Sequence, residues 1–300
     1  MSKTSEWLVS FNSNYQKHIE GIISERKKSR REMMTISVTG GKGGVGKTSV
    51  SLKIAKDLAD SGAKVLLIDC DYNLSNTAIK LGLPIQNTFY SLVTAEKQFD
   101  ECLYKDGSFH LLSACNGSLD LFDSQFKLEE LIIDVVNEHG HEYDYIVLDC
   151  PAGLQRESIT LNAYCDKRVV VVTPDRSSIT DSYSLMKVLA MKFGIKENHL
   201  LVNMTSSKSQ YNRVVKTLSE TVENFLGCRT QILGGIPRLN VSASEFDSTF
   251  LNLGKNDHQK IFLKVISKLT EELGSPKIEE VVLTPKSHGH CEQEVQIFNA

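Results

Sequence analysis

The residues in this chain that are best suited to chemistry lie in a glycine-rich run, residues 39–49, which reads TGGKGGVGKTS. The pattern G-x-x-x-x-G-K-[ST] fits it from Gly41 to Thr48. Glycines let backbone N–H groups approach phosphate oxygens and adopt positive φ without a Cβ clash. Lys47 can then place its charge on the β- and γ-phosphates, and the Thr48 hydroxyl can ligate Mg²⁺. The predicted phosphate-binding residues are Gly41, Lys42, Gly43, Gly44, Val45, Gly46, Lys47, Thr48 and Ser49.

The segments that flank this run have the periodicity that a phosphate-binding loop requires. Residues 34–38 are apolar and β-branched, which predicts a buried strand. Residues 50–59 repeat their apolar side chains at helical spacing, and a helix that begins near Lys47 adds unpaired N–H groups and a positive dipole end. Strand, loop, helix, lysine and hydroxyl together favour a phosphate-binding loop over a plain glycine-rich turn.

Two aspartates follow a second buried strand. Residues 64–71 read KVLLIDCD, so Asp69 and Asp71 are two residues apart and share one face of an extended chain. One of these carboxylates can hold the Mg²⁺ shell or Thr48 while the other orients an attacking water, with residues 72–76 as a switch that opens the next helix. Capping of that helix is the alternative use of these carboxylates. Beside a phosphate-binding loop, the metal and catalytic roles are favoured.

A third acidic strand end lies at residues 144–149, which read DYIVLD in a Walker B pattern. Asp149 is predicted to bind Mg²⁺ through water. Gly153, in the following CPAG, can present its N–H to a γ-phosphate and reorient when that group leaves. Because phosphoryl transfer depends mostly on positioning and charge neutralisation, two lysines, Mg²⁺ and one water-orienting aspartate suffice without a shifted pKa.

Two residues late in the chain suit a base-binding pocket. Asn203 and Pro237 each follow a predicted strand, and an asparagine amide can pair with adenine N6 and N7. Ordinary turn residues would have the same composition and placement. The sequence leaves both interpretations open.

The fold class follows from the alternation of strand and helix patterns. It predicts an α/β fold, a doubly wound and mostly parallel sheet flanked by helices, with ligands beyond the carboxyl ends of the strands. The predicted strands are 34–39, 64–69, 108–113, 144–149, 168–173, 199–203 and 230–236. The predicted helices are 47–61, 74–81, 126–138, 155–163, 178–193, 208–226 and 257–273.

We expect three parts along the chain of 300 residues. Residues 1–32 form a helical arm with a basic linker, either a solvated arm or a partner-binding element. Residues 33–274 form the nucleotide-binding domain, and residues 275–300, which show no periodicity, form a disordered tail. The net charge of -3 gives no overall attraction to nucleic acid or anionic membrane.

Seven cysteines are scattered without a C-x-x-C pair. This favours free thiols in a reducing cytoplasm and argues against zinc or an iron–sulfur cluster. The sequence also shows no apolar signal-peptide core and no run long enough for a membrane span.

From Met34 to about Leu273 the chain resembles the MinD/ParA (SIMIBI) ATPases, and within them the FlhG group (FleN, YlxH), MinD-like regulators of flagellar number and placement. Four runs carry the resemblance: KGGVGKT at 42–48, DCDYNLSN at 69–76, DCPAG at 149–153 and TPDRSSITDSY at 173–183. The last is close to the form T-P-E-P-T-S-I-T-D-A-Y that is common in FlhG proteins. VNM at 202–204 and GIP at 235–237 match later strands.

The resemblance implies ATP and Mg²⁺ as cofactors and an ATP-dependent homodimer. It implies that Lys42 is the signature lysine, which reaches the phosphates across the dimer, whereas the loop spacing alone also allows Lys42 to serve only its own chain. It further implies that Asp71 is the hydrolytic aspartate, that Asp149 is the Walker B residue and that Asn203 lies near adenine.

The implied partners are the flagellar GTPase FlhF, a flagellar regulator or a C-ring component. The implied location is the cytoplasm, with recruitment to a cell pole or the inner membrane surface. The chain departs from FlhG proteins at both ends: residues 14–22 lack the D-Q-A-x-x-L-R motif that activates FlhF, and residues 292–300 are short and acidic instead of a basic membrane helix. Residues 260–269 are amphipathic and are expected to pack on the core.

These observations predict a slow, partner-stimulated, Mg²⁺-dependent ATPase that works as a dimerisation switch in the regulation of flagellar number or placement. A ParA-type ATPase that positions DNA or cargo is one alternative, although it would need clustered basic residues. A regulator of a transcription factor that binds ATP without hydrolysing it is the other.

Overall fold

The architecture was obtained as a computed structural model, which describes residues 21, 33–71, 77–84, 88–113, 127–241, 243–251 and 257–271. Three predicted segments lie outside the described residues: the switch at residues 72–76, the tail at residues 275–300, and the arm at residues 1–32 except for Gly21.

The described residues are organised around one eight-stranded sheet, ordered β3-β4-β2-β5-β1-β6-β7-β8. Its strands are β1 Met34–Thr39, β2 Val65–Asp69, β3 Leu103–Asp106, β4 Phe109–Leu112, β5 Tyr145–Asp149, β6 Lys167–Val172, β7 Glu197–Thr205 and β8 Arg229–Pro237. All neighbours pair in parallel except β3, which runs antiparallel to β4 at the edge. The predicted doubly wound, mostly parallel sheet is therefore confirmed.

Helices cover both faces of the sheet. They are α1 Lys47–Asp60, α2 Thr77–Lys80, α3 Thr88–Val93, α4 Leu128–His139, α5 Arg156–Tyr164, α6 Arg176–Phe193, α7 Lys208–Leu226, α8 Ala243–Leu251 and α9 Asp257–Thr270. Short 3₁₀ turns occupy Phe99–Cys102 and Gly140–Glu142. Helices α1, α8 and α9 share a core with one face, and α4 to α7 pack on the other. In the described part of the chain, no helix has both the length and the apolar character that a membrane crossing needs.

Most differences from the predicted elements are shifts of one to three residues at their ends. β3, α3 and α8 were not predicted. β3 has only intermediate and exposed positions, and α8 consists mainly of polar or weakly helix-forming residues. The amphipathic stretch at 260–269 packs on the core as expected, because Phe262, Val265 and Leu269 are fully buried there.

One face of the central strand β1 is polar, and an asparagine of α5 bonds two of its three hydroxyl groups, while the third, that of Thr35, donates to Asp166. The Ser37 hydroxyl donates to Asn162 Oδ1 (2.8 Å), and Asn162 Nδ2 donates to Thr39 Oγ1 (3.0 Å) and to the Ser158 carbonyl (2.7 Å). The Ser158 hydroxyl in turn donates to the Pro151 carbonyl (3.0 Å). This buried network fixes the end of β1 relative to the loop that follows β5.

We expect Asn162→Leu to lower the free energy of unfolding by about 2–4 kcal/mol, because it leaves buried hydroxyl and carbonyl groups without partners. Urea denaturation would measure this change. Asn198→Leu is the matched control: Asn198 is as fully buried as Asn162, but its amide has no hydrogen-bond partner among the described residues. The control should be neutral or stabilising, and equal losses in the two variants would contradict a special role for the network.

Candidate functional site

The loop between β1 and α1 has the backbone geometry that its glycines predict. Gly44 and Gly46 adopt φ of 76° and 95°, in the left-handed region that disfavours residues with a Cβ. Gly46 caps α1, and its carbonyl accepts the first helical bond, from Val50 N at 3.0 Å. The free N–H groups at the start of α1 therefore face the loop, as an anion site requires.

The loop also lies against the backbone of α6. A Cβ on Gly41 would come within 2.5 Å of the Ser182 backbone nitrogen and closer still to the Asp181 carbonyl group. At this position glycine is therefore required by close approach rather than by φ, because the loop backbone packs directly against the backbone of α6.

Lys42 extends away from its own loop to the start of α6. Its Nζ lies 3.0 Å from Asp175 Oδ1 and 2.7 Å from Ser177 Oγ. Both charged side chains remain about half exposed, at 43% and 45%. Lys42 is thus an ammonium group on an open surface, held by a side chain of its own chain.

Asp175 is the N-cap of α6, and its side chain accepts the Ser178 amide at 2.9 Å. Partial burial raises the pKa of Asp175, but the hydrogen bonds from Ser177, Thr173, the Ser178 amide and Lys42 outweigh it and hold that pKa well below its ordinary value. The carboxylate is therefore charged at any physiological pH, and it binds the lysine by charge as well as by hydrogen bonding.

Two buried carboxylates stand side by side at the carboxyl ends of β2 and β5. Asp69 and Asp149 are partners in the strand register and are only 2% and 3% exposed. Asp69 accepts from Thr77 Oγ1 (2.6 Å), while Asp149 accepts from Ser51 Oγ (2.8 Å) and from the Thr48 hydroxyl.

Burial, together with the neighbouring charge of Asp69, raises the pKa of Asp149. The Thr48 and Ser51 hydrogen bonds and the charge of Lys47 oppose that rise. A set of two carboxylates and a hydroxyl next to a lysine is the oxygen-rich, anionic surrounding that suits Mg²⁺.

The other two predicted groups border this site. The amide of Asp71 donates to Asp69 Oδ1 at 3.0 Å, so Asp71 directly follows the buried pair and is itself partly buried. Gly153 has φ of 90°, and its N–H donates to the Gly40 carbonyl at 3.2 Å. The group predicted to contact a γ-phosphate is thus bonded to the phosphate-binding loop.

Asn203 and Pro237 both line one cavity of about 280 Å³ beside the loop. Its lining residues are Asn203, Met204, Ile236, Pro237, Arg238, Leu239, Phe246 and Phe250. Asn203 also supports the loop directly, because its Nδ2 donates to the Val45 carbonyl at 2.8 Å and its Oδ1 accepts the Met204 amide at 2.9 Å. The cavity is mainly apolar and suits a planar base.

Several residues of this site were not singled out from the sequence. Asp175 and Ser177 lie in a run that was noted for its resemblance only, although D-x-x-S before a helix is a capping signal. Ser51 lies one turn after Lys47 and could have been placed on the same helix face. Phe246 and Phe250 lie in the helix that was missed.

The chain is similar to known proteins in sequence and in fold. A family model described as "AAA domain" matches residues 33–215. The antiactivator FleN of Pseudomonas aeruginosa is 30% identical over 210 residues, which cover 70% of this chain and 75% of FleN.

Two solved structures share the fold. The septum site-determining protein MinD of Pyrococcus horikoshii, complexed with Mg-ADP, aligns with a TM-score of 0.64 and 21% identity, over 81% of this chain and 98% of that chain. A MinC:MinD cell division protein complex of Aquifex aeolicus aligns with a TM-score of 0.60 and 25% identity, over 85% of this chain and 100% of that chain. On these likenesses, the chain belongs to the MinD/ParA family of P-loop ATPases, in the part of that family near FlhG (FleN).

Proposed function

We propose that this chain is an ATP- and Mg²⁺-dependent dimerisation switch that hydrolyses ATP slowly and regulates flagellar number or placement by binding a protein partner in its dimeric state. One observation supports the dimer: Lys42 projects from the phosphate-binding loop onto an open surface, where its ammonium contacts Asp175 and Ser177 at the start of α6. A lysine that served its own phosphates would be expected to turn into the loop instead.

The residues present fit the proposed cofactors. Backbone N–H groups of Gly43 to Thr48 and the ammonium of Lys47 would hold the ATP phosphates, and the cavity that Asn203 and Pro237 line would hold the base. Thr48, Asp69 and Asp149 would hold Mg²⁺. Because Mg²⁺ prefers anionic oxygen ligands, its binding would explain why two buried carboxylates lie next to each other in the strand register. When bound, Mg²⁺ neutralises charge that develops on the phosphates.

The chain's own groups supply the remaining chemistry. We infer that Asp71 orients the attacking water, because it directly follows the buried pair and is partly exposed. Lys47, and Lys42 of the second copy, would stabilise negative charge on the transferred group. The Gly153 N–H would donate to a phosphate oxygen instead of to the Gly40 carbonyl. The conformation of its loop would therefore depend on whether the γ-phosphate is present.

Under this proposal the present geometry is the resting state of the switch. Two donors that would contact the γ-phosphate, the Lys42 ammonium and the Gly153 N–H, are both held by acceptors of the same chain. ATP and a second copy must compete with these contacts. The competition keeps the dimer dependent on nucleotide instead of constitutive.

The cellular role rests on the likeness to FleN, which is described as an antiactivator. The MinC:MinD structure is of a complex between a MinD and a protein partner, which supports the binding of a protein partner by this chain. We propose a flagellar regulator, a C-ring component or FlhF as partner, in the cytoplasm or at a pole. A regulator that binds ATP without turnover remains the alternative outcome of the first experiment below.

We expect Asp71→Ala to reduce phosphate release at least about 100-fold, because it removes the group that positions water, while ATP-dependent dimers persist. Phosphate release and solution mass with ATP and Mg²⁺ would measure the two effects. Asp60→Ala, at the exposed end of α1, is the control and should match wild type. Equal rates in wild type and Asp71→Ala would remove Asp71 from the mechanism, and no turnover in either would favour the non-hydrolysing regulator.

We expect Lys42→Ala to abolish the ATP-dependent dimer while monomer affinity for ADP changes by less than about threefold, because this lysine acts on the partner's phosphates. Analytical ultracentrifugation and a nucleotide titration would separate the two properties. Lys187→Ala, an exposed lysine of α6, is the matched control. If the wild-type protein remained monomeric with ATP and Mg²⁺, the proposed dimer would be overturned.

We expect Asp175→Asn to strengthen ATP-dependent dimerisation. Asparagine caps helices as well as aspartate does, so α6 keeps its start while the charge that holds Lys42 is lost. Since the ion pair is about half exposed, the dimerisation constant with ATP should improve by only about two- to threefold. Weaker dimerisation of the Asp175→Asn variant would show that Asp175 stabilises the dimer instead of competing with it for Lys42.

The cellular proposal has its own test. Deletion of the gene should change the number or position of flagella per cell in electron micrographs. Wild type should restore the pattern, and Lys42→Ala should not, since it lacks the dimer. Unchanged flagella would overturn the flagellar role without affecting the proposed ATPase.

A further inference from the structure

The cavity beside the phosphate-binding loop is closed on one side by the short helix α8. Phe246 and Phe250 of α8 line it opposite the ends of β7 and β8. The two rings stack with centroids 5.4 Å apart and planes 12° apart. The helix therefore presents an aromatic wall to whatever fills the cavity, and the affinity of the cavity for a flat ligand depends on where α8 sits.

The two phenylalanines are held in different ways. Phe250 is buried at 2% exposure and meets Phe262 of α9 edge to face, at a centroid distance of 5.4 Å. Phe246 is only partly buried, and the Lys80 ammonium lies 5.8 Å from its ring centroid. The inner ring is thus fixed by the core, whereas the outer ring depends on contacts near the surface.

One ion pair joins that outer part of α8 to α2. Lys80 Nζ lies 2.7 Å from Asp247 Oδ1, and the two side chains are 22% and 31% exposed. Lys80 ends a helix of only four residues, which Thr77 begins. The Thr77 hydroxyl donates to Asp69 Oδ2 at 2.6 Å, so α2 contacts the buried carboxylate at one end and the cavity wall at the other.

We propose that the Lys80–Asp247 pair is a positioning contact for nucleotide binding, which holds α8 so that Phe246 stacks on a planar heteroaromatic base. The inference rests on the proposed function, because it assumes that the cavity takes the base of the bound nucleotide. A single partly exposed ion pair adds little to overall stability, so its effect is expected in ligand affinity and not in folding. The pair lies beside the base and away from the phosphates, and it does not touch the reacting atoms.

The test compares a probe that has both phosphates and a base, ADP, with one that has phosphates and no base, inorganic tripolyphosphate. Lys80→Met and Asp247→Asn should each weaken ADP binding about fivefold, the upper range for one partly exposed ion pair, and leave tripolyphosphate binding unchanged. In steady-state assays KM for ATP should rise while kcat stays within about twofold, because the reacting groups are untouched. The reversed pair Lys80→Asp/Asp247→Lys should recover at least half of the ADP affinity.

Lys105→Met is the matched control, because Lys105 forms an equally short ion pair with Asp100 (2.6 Å) at the sheet edge, away from the cavity. It should change neither probe. Equal losses for ADP and tripolyphosphate, or unchanged ADP binding, would overturn the positioning role, as would failure of the reversed pair. Wild-type protein that binds neither probe would instead overturn the proposed nucleotide function, and with it this inference.

Discussion

The structure depends above all on two carboxyl groups that are buried side by side. Asp69 and Asp149 meet because β2 and β5 pair in register, and burial makes their mutual repulsion strong. This repulsion is offset by hydrogen bonds to the two carboxyl groups and by the charge of Lys47. The hydrogen bonds come from the hydroxyls of Thr48, Ser51 and Thr77. Placing α1 and α2 at these strand ends is therefore an electrostatic requirement as well as a packing result.

The polar network behind β1 extends this requirement into the fold. Asn162 connects the strand that enters the phosphate-binding loop with Ser158, which in turn bonds the Pro151 carbonyl in the loop after β5. Buried polar groups of this kind specify one arrangement because alternatives leave them unpaired. The two loops on either side of the carboxylates are thus kept in one mutual geometry by buried hydroxyl and amide groups.

Sequence patterns predicted the central strands, the long helices and the loop well because their signals are local. Continuous apolar runs mark β5 and β6, and glycine spacing marks the loop. β3 was missed even though Asp106-Gly107 is a hairpin signal, because its exposed, charged edge position carries no apolar alternation. The contacts of Lys42 with Asp175 and of Lys80 with Asp247 span 133 and 167 residues, so no periodicity could predict them.

The bond between Lys42 and Asp175 has a mechanical consequence. The same Asp175 oxygen accepts both the ammonium and the Ser178 amide in the first turn of α6, and the Thr173 hydroxyl donates to the other oxygen. When the lysine leaves, the helix keeps its cap and need not fray. The Lys42–Asp175 contact can therefore break and re-form repeatedly without unfolding the first turn of α6.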